Sequence, residues 1–282
     1  MIITTLIENT QADNNTGLSA EHGLSLHISF DNKAILFDTG ASDSFSQNAD
    51  KLGIDLGAAD AAVLSHHHYD HGGGLQRFFA LNQSAKVYLK RPPVGECYFK
   101  ASLLPRRYIG LDRDLFKTYT ARFGYIEKFT EILTGVYIFP TIGTAYPKPK
   151  GNRSLYTRKG TRWSLDNFDH ELIMAVRENG NLVIFTGCSH NGVLNMVDTV
   201  AEKFPGLPIK AVIGGFHLIC LPKRNSLADS KTDIQNIAKE TLRYPIQSMY
   251  TGHCTCRKAY AVLKSVLGEK LQHLQTGTVL QI

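Results

Sequence analysis

Four histidines and an aspartate fall within six residues, His66-His67-His68-Tyr69-Asp70-His71, between an apolar run (Ala61-Ala62-Val63-Leu64) and a triple glycine (Gly72-Gly73-Gly74). Imidazole nitrogen and carboxylate oxygen are ligands that borderline divalent metals such as zinc prefer. Alternate residues of an extended chain point the same way, so His66 and His68 can grip one ion. Asp70 and His71, past a turn, can face a second ion beside it, with His67 and Tyr69 as spacers. A histidine-rich loop can also arise from composition alone. Composition does not explain an acid seated between a buried strand and glycines that let the backbone pass close to whatever the side chains hold. The chemistry on offer is metal-assisted: a divalent ion lowers the pKa of bound water from about 15.7 to about 7, and two ions can stabilise attacking and leaving oxygens together.

The elements that must position these residues are legible around them. Residues 2–8 and 22–38 read as strands, the latter turning at Asp31-Asn32 and ending at Asp38-Thr39-Gly40. Residues 60–64 form the strand that delivers the histidines, with helices over 42–52 and 75–81. Strands at 136–140, 171–177, 181–185, 208–213 and 247–250 follow, with helices at 193–203, 229–243 and 258–267 and short strands in 271–282. His190, His217 and His253 each follow a strand and have a glycine within three residues. Residues at gathered strand ends converge on one site. From about Leu89 to Gly135 the pattern weakens, and Leu103–Gly110 has no clean period.

This arrangement resembles the signature of the metallo-β-lactamase superfamily. In motif order the resemblance covers nearly the whole chain: a strand-end Asp38, the His-x-His-x-Asp-His cluster, then His190 and His253. It implies an α/β fold, a four-layer αββα sandwich, as one domain over 1–282, with about 90–165 an elaborated basic insertion near the active-site mouth. It implies a metal-dependent enzyme in which His66, His68 and His190 hold one metal and Asp70, His71 and His253 a second. Asp38 would stand behind them, fixing a histidine's tautomer and ring. A metal-activated hydroxide would attack an ester, lactone, thioester or phosphoester, with Asp70 taking the proton. His217 would contact substrate or protonate the leaving group, or else only pack beside the metal shell. Gly187-Cys188-Ser189-His190, Gly214-Gly215-Phe216-His217-Leu218 and His253-Cys254-Thr255 are similar to segments of a subgroup typified by a dihydropterin–ribofuranosylaminobenzene phosphate synthase; Cys256 departs from that pattern. Many superfamily hydrolases read Thr-Gly-Asp where this chain has Thr186-Gly187-Cys188. Cys188, behind the ligands, is thus either a bridging thiolate or a small buried hydrophobe. One or two divalent transition metals are expected, with zinc favoured and iron or manganese permitted.

The 282 residues are 43% hydrophobic, enough for one large core or two modest ones, with no apolar run of membrane-spanning length. The start has neither the basic region nor the cleavage site of a signal peptide. Five cysteines at irregular spacing argue for a reducing compartment, with cytoplasm the expected location. The net charge of +6 is unevenly placed: Lys86 to Arg162 carries sixteen Lys and Arg against five Asp and Glu. That asymmetry fits either a solvated surface or an anionic partner. The expectation is a small phosphate- or carboxylate-bearing substrate met by Arg106 and Arg107, whose planar forks suit such groups. The alternative is a nuclease of the same superfamily, with Tyr108, Tyr119, Phe123 and Tyr125 among the cations. No appended RNA-binding domain or long lysine-rich arm accompanies it, so nucleic acid is not the expected partner.

Overall fold

The computed structural model describes residues 1–12, 17–101, 104–220 and 225–282. The first sheet begins with an antiparallel run of β1 (Ile2–Ile7), β2 (Ser25–Phe30) and β3 (Lys33–Phe37). It continues in parallel through β4 (Ala61–Val63) and β5 (Lys86–Leu89). A small sheet then starts with β6 (Glu96–Phe99) and β7 (Arg107–Tyr108). The chain returns through β8 (Phe123–Tyr125), on the parallel edge of the first sheet. β9 (Thr130–Leu133) and β10 (Val136–Phe139) open the second sheet, and β11 (Leu155–Lys159) and β12 (Arg162–Leu165) complete the small one. The second sheet is finished by β13 (Ile173–Glu178), β14 (Asn181–Phe185), β15 (Ile209–Ile213), β16 (Ile246–Thr251) and β17 (Leu271–His273), the last four running parallel. β18 (Val279–Gln281) pairs back onto β1.

The two seven-stranded sheets face each other across a core that includes Leu26, Ile28, Phe37, Val63, Met174, Phe185 and Ile213. The helices α1 (Ser44–Lys51), α2 (Tyr69–Gly72), α3 (Leu75–Leu81) and α4 (Arg113–Thr118) lie along the first half of the chain. Phe45 and Ala49 of α1 and Leu75, Phe78 and Phe79 of α3 bury against the outer face of the first sheet. α5 (Val193–Lys203), α6 (Lys231–Thr241) and α7 (Arg257–Leu267) cover the second sheet through Met196, Val197, Ile234, Ala238 and Leu263. This is the αββα sandwich expected. β4 shows why its sequence is apolar throughout: Ala62 faces the helices and Val63 the inter-sheet core, as in a strand covered on both sides. No helix among the described residues is long and apolar enough to cross a membrane.

The stretch that sequence leaves irregular contains, among its described residues, four short strands and the helix α4. Ser102 and Leu103, where the unpatterned segment starts, lie outside the described residues, but Arg107 is in β7, which pairs with β6, and β6 pairs with β11 some fifty residues on. Cys97, Ile109, Leu155 and Phe168 bury together on the inner side of this small sheet, with Tyr69 and Phe99 packed on them. The segment is therefore a roof fastened to the histidine loop. Tyr69 N–H donates to Ile109 O at 2.9 Å, and His68 forms an isolated bridge with Gly110.

Candidate metal centre

Asp38, the 66–71 segment, His190, His217 and His253 all lie beyond the ends of β3, β4, β14, β15 and β16, at one rim where both sets of parallel strands finish. Ligand sites in sheets of this kind form outside the carboxyl ends of the strands. Asp38, Phe168, Ser189, His217 and His253 have φ between 46° and 59°. Left-handed backbone at such residues costs about 1–3 kcal/mol each and persists where the surroundings over-determine it. The triple glycine serves the fold more directly than the sequence reading supposed. A Cβ at Gly73 would sit 2.3 Å from the Ala41 carbonyl oxygen, and one at Gly74 2.5 Å from the Phe45 ring. These glycines admit neighbouring chain, and the cup lies on the other side of the loop. Gly187 is required at the cup itself, since a Cβ there would meet Ser65 Oγ at 2.1 Å.

The ring nitrogens gather in two groups. His66 Nε2 faces His68 Nδ1 at 3.1 Å, and these two and His190 have donor atoms within 4.8 Å of one another. His71 Nε2 faces His253 Nε2 at 3.1 Å, and Asp70 Oδ2 lies 3.5 Å from the same His253 nitrogen. Such spacings approximate the edges of a tetrahedron around an ion held at about 2.0–2.1 Å. Cys188 Sγ is 3.2 Å from His71 Nε2 and belongs with the donor atoms of both groups.

The partners behind each ring decide which nitrogen is free. Asp38 Oδ2 takes His71 Nδ1 at 2.7 Å while its carboxylate also accepts the Ser65 N–H and hydroxyl. Asn9 and Asn152 do the same thing to two different histidines. The Asn9 Oδ1 atom meets His253 Nδ1 at 3.0 Å and its amide N–H donates to His253 O; Asn152 Oδ1 meets His190 Nδ1 at 2.9 Å and its N–H donates to His190 O. Ser65 Oγ lies 2.9 Å from His66 Nδ1. Each arrangement puts the proton on Nδ1 and leaves the Nε2 lone pair facing the cup. His68 is reversed, offering Nδ1 to the His66 side while Nε2 is buried without a hydrogen-bond partner; the residue also groups with Asp166, His170 and Cys97. His190 Nε2 is buried with no hydrogen-bond partner in the protein, as are both ring nitrogens of His217. Buried polar atoms are rarely left so. Converging orphan lone pairs with pre-set tautomers are what a metal site requires, so the residues fit the expected group.

The electrostatics agree. Burial, reinforced by the neighbouring histidines, holds His66, His190 and His253 neutral, well below the ordinary imidazole range. Burial takes His68 down to about 3. For His71 burial pulls down, but the Asp38 carboxylate outweighs it and raises the ring to about 9. Burial would raise the Asp70 carboxyl, yet the His22 hydrogen bond and the nearby His71 and His253 hold it well below the carboxylate range. Burial pushes the Cys188 thiol up.

Above the cup is a cavity of about 260 Å³ lined by the histidines below and by Phe99, Ile109, Leu155, Ile219, Tyr69 and Arg107 above. The two arginines separate here. Arg107 is at the cavity wall with its guanidinium 5.0 Å from the Tyr69 ring, whereas Arg106 stacks 4.6 Å over Trp163 and does not line the cavity. His217 lies in the cavity wall, its ring centroid 4.1 Å from that of His190. Reading the sequence missed His22, whose Nε2 is 3.2 Å from Asp70 Oδ2 and whose ring stacks on His253. It also missed Asn9, Asn152 and Glu171, whose carboxylate accepts the backbone N–H groups of His190 and Asn191 at 2.7 Å. Asn9 was findable: like Asp38, it lies just past a strand end.

Residues 22–91, spanning the histidine segment, match the metallo-beta-lactamase superfamily. A curated relative from Methanocaldococcus jannaschii, a 7,8-dihydropterin-6-methyl-4-(beta-D-ribofuranosyl)-aminobenzene-5'-phosphate synthase, is 30% identical over 99% of this chain and 96% of its own. The solved structure of Tm1679, a metal-dependent hydrolase of the beta-lactamase superfamily, superposes with a TM-score of 0.82 at 31% identity, covering 100% of this chain and 99% of that one. Zinc-bound PqqB from Methylobacterium extorquens shares the fold at a TM-score of 0.58 and 11% identity, covering 100% of both chains. The chain belongs to the metallo-β-lactamase superfamily. Its fold and its buried donor clusters are those of a metal-dependent enzyme of that superfamily.

Proposed function

We propose that this protein is a metal-dependent hydrolase or synthase acting on a small anionic substrate, of the subgroup typified by the dihydropterin-phosphate synthase. The observation that carries the reading is the convergence of tautomer-fixed ring nitrogens beneath a cavity in which Arg107 is the only arginine or lysine among the described lining residues. His66, His68 and His190 would hold one divalent ion and Asp70, His71 and His253 a second, with zinc favoured over iron or manganese. When bound, such ions supply Lewis-acid activation of water and of a substrate oxygen.

The remaining work falls to side chains of this chain. Asp38, Asn9 and Asn152 fix the ligand rings and raise their basicity. Arg107 meets the substrate's phosphate or carboxylate, with its fork steadied on Tyr69. Phe99, Ile109 and Leu155 exclude water and seat the apolar part of the substrate. His217, in the cavity wall with both ring nitrogens buried and unpartnered, contacts the substrate's polar group or passes a proton to the leaving group. Asp70, held ionised, suits ligation better than the proton-accepting role read from sequence. A cavity of this size favours a small molecule over a polynucleotide, and the five free thiols suit a cytoplasmic setting.

The test loads purified protein with zinc, iron or manganese and offers phosphomonoester, phosphodiester, lactone and thioester compounds alongside single-stranded RNA. The expected outcome is metal-dependent turnover of a small anionic compound, lost with chelator. His68→Ala should lose most of the metal of the first group. Turnover that ignores the metal, cleavage of RNA alone, or full metal retention in His68→Ala would reject the proposal.

A further inference from the structure

Cys188 sits at the meeting point of every donor group in the cup. Its sulfur lies 3.2 Å from His71 Nε2, and its donor atom is grouped within 4.8 Å with those of His66 and His71, with His190 and His217, and with His253 and Cys254. It therefore touches both nitrogen groups at once, and no carboxylate is grouped with donors of both in those clusters. Asp70 approaches the cup from the second side only, at 3.5 Å from His253 and 3.2 Å from His22. Cys188 packs on one side with Ile219 and Cys254. On the other it meets imidazoles, among which His190 Nε2 and both His217 ring nitrogens are buried without partners. Those rings are at least 97% buried and lie against the same sulfur. The preceding Gly187 admits no side chain, because a Cβ there would meet Ser65 Oγ and His66 Nδ1.

We propose that Cys188 is a thiolate ligand shared between the two metal positions, which makes the centre a nitrogen–sulfur site. This rests on the two-metal reading above and deepens it. On metal uptake the S–H bond breaks, the proton leaves to solvent and the sulfur lone pairs go to the ions. Thiolate is a soft donor, so the centre is built for zinc, cobalt or iron over manganese or magnesium. Cys254, whose sulfur accepts the backbone N–H of His217 at 3.2 Å and donates to Cys188 O, is grouped with Cys188 and His253 on the second side and so is not the shared ligand.

Cobalt(II) reports the distinction, because a bound thiolate adds a sulfur-to-cobalt charge-transfer band in the near ultraviolet that imidazole and carboxylate do not. Metal-free protein is titrated with cobalt, and stoichiometry and spectrum are followed together. The wild type and Cys254→Ser should take two cobalt ions and show the band. Cys188→Ser should lose the band and bind the second cobalt ten- to a hundred-fold more weakly, at least what losing an outer partner of a ligand costs. Cys188→Asp should recover two cobalt ions without the band, which keeps the test valid if the serine variant folds poorly. Two cobalt ions in the wild type without a band would overturn the thiolate while leaving the two-metal reading standing. A band retained in Cys188→Ser would do the same. No cobalt bound by the wild type would overturn both.

Discussion

At the scale of single residues, the site is decided less by its histidines than by what stands behind them. An imidazole offers a lone pair from one nitrogen only if the other carries the proton, and here a carboxylate, two amides and a hydroxyl make that choice. Asn9 and Asn152 each grip a histidine at both ring and backbone, so each fixes rotation as well as tautomer. Asn152→Ala leaves His190 Nδ1–H without its acceptor in a buried setting, and Asn9→Ala does so for His253. Both changes should weaken metal binding about ten- to a hundred-fold, read by competition with a chromophoric chelator. Asn152→Asp keeps the acceptor and loses only the donor, so it should bind metal close to wild type. Equal weakening in the alanine and aspartate variants would mean that the backbone bond matters and the tautomer does not.

At the scale of elements, legibility followed how local the pattern is. The helices over Leu75–Leu81 and Val193–Lys203 are read from sequence to the residue, since amphipathic spacing and flanking glycines lie within each segment. The strand-end rule found His190, His217 and His253 for the same reason. The small sheet was opaque because its strands are short and half-exposed and their pairing is remote, as with Tyr98 opposite Tyr156. Its outer face sets cations over rings, Arg158 over Tyr98 and Arg106 over Trp163, which hides alternation behind charge. His22 was absorbed into a strand reading, and nothing local marks it as a neighbour of Asp70. The two-residue strand β7 also divides the adjacent arginines, turning Arg107 to the cavity and Arg106 to the outer face. A hydrogen bond to a charged group contributes about 1.5–3 kcal/mol. Arg107→Ala should therefore raise KM for an anionic substrate roughly ten- to a hundred-fold, with metal content unchanged and a neutral analogue little affected. Arg106→Ala should leave both KM values near wild type. Equal effects of the two variants, or equal losses on charged and neutral substrates, would show that the strand only supports the roof.

At the scale of the whole molecule, so many buried imidazoles make folding itself a function of pH. Six histidines have folded-state pKa values lowered chiefly by burial: His27 below the usual value, His66, His190 and His253 well below it, and His67 and His68 at about 3. Between about pH 6.5 and those values the unfolded chain takes up protons that the folded chain refuses, so their contribution is present above 6.5 and lost as pH falls. His71, raised to about 9, and His170, raised to about 10, work in the opposite sense, because burial is outweighed there by Asp38 and Asp166: their contributions are full below about 6.5 and are lost as pH rises through 9 and 10. The metal-free protein should then be most stable near neutrality, with the steeper loss on the acid side, each proton changing stability by about 1.4 kcal/mol per pH unit. His67 isolates one share of this without touching the cup. Its Nε2–H donates to Lys90 O at 2.7 Å, so Nδ1 carries no proton, and that buried atom has no partner. In chelator, thermal melts from pH 7 to pH 5 should show Tm falling steeply, and His67→Gln, which keeps a donor for Lys90 O but cannot titrate, should flatten that fall by about one proton's worth. A wild-type Tm that stays level from pH 7 to 5, or a His67→Gln slope identical to wild type, would mean that these histidines take up protons while folded, and the neutral state inferred for His66, His67, His68, His190 and His253 would be wrong.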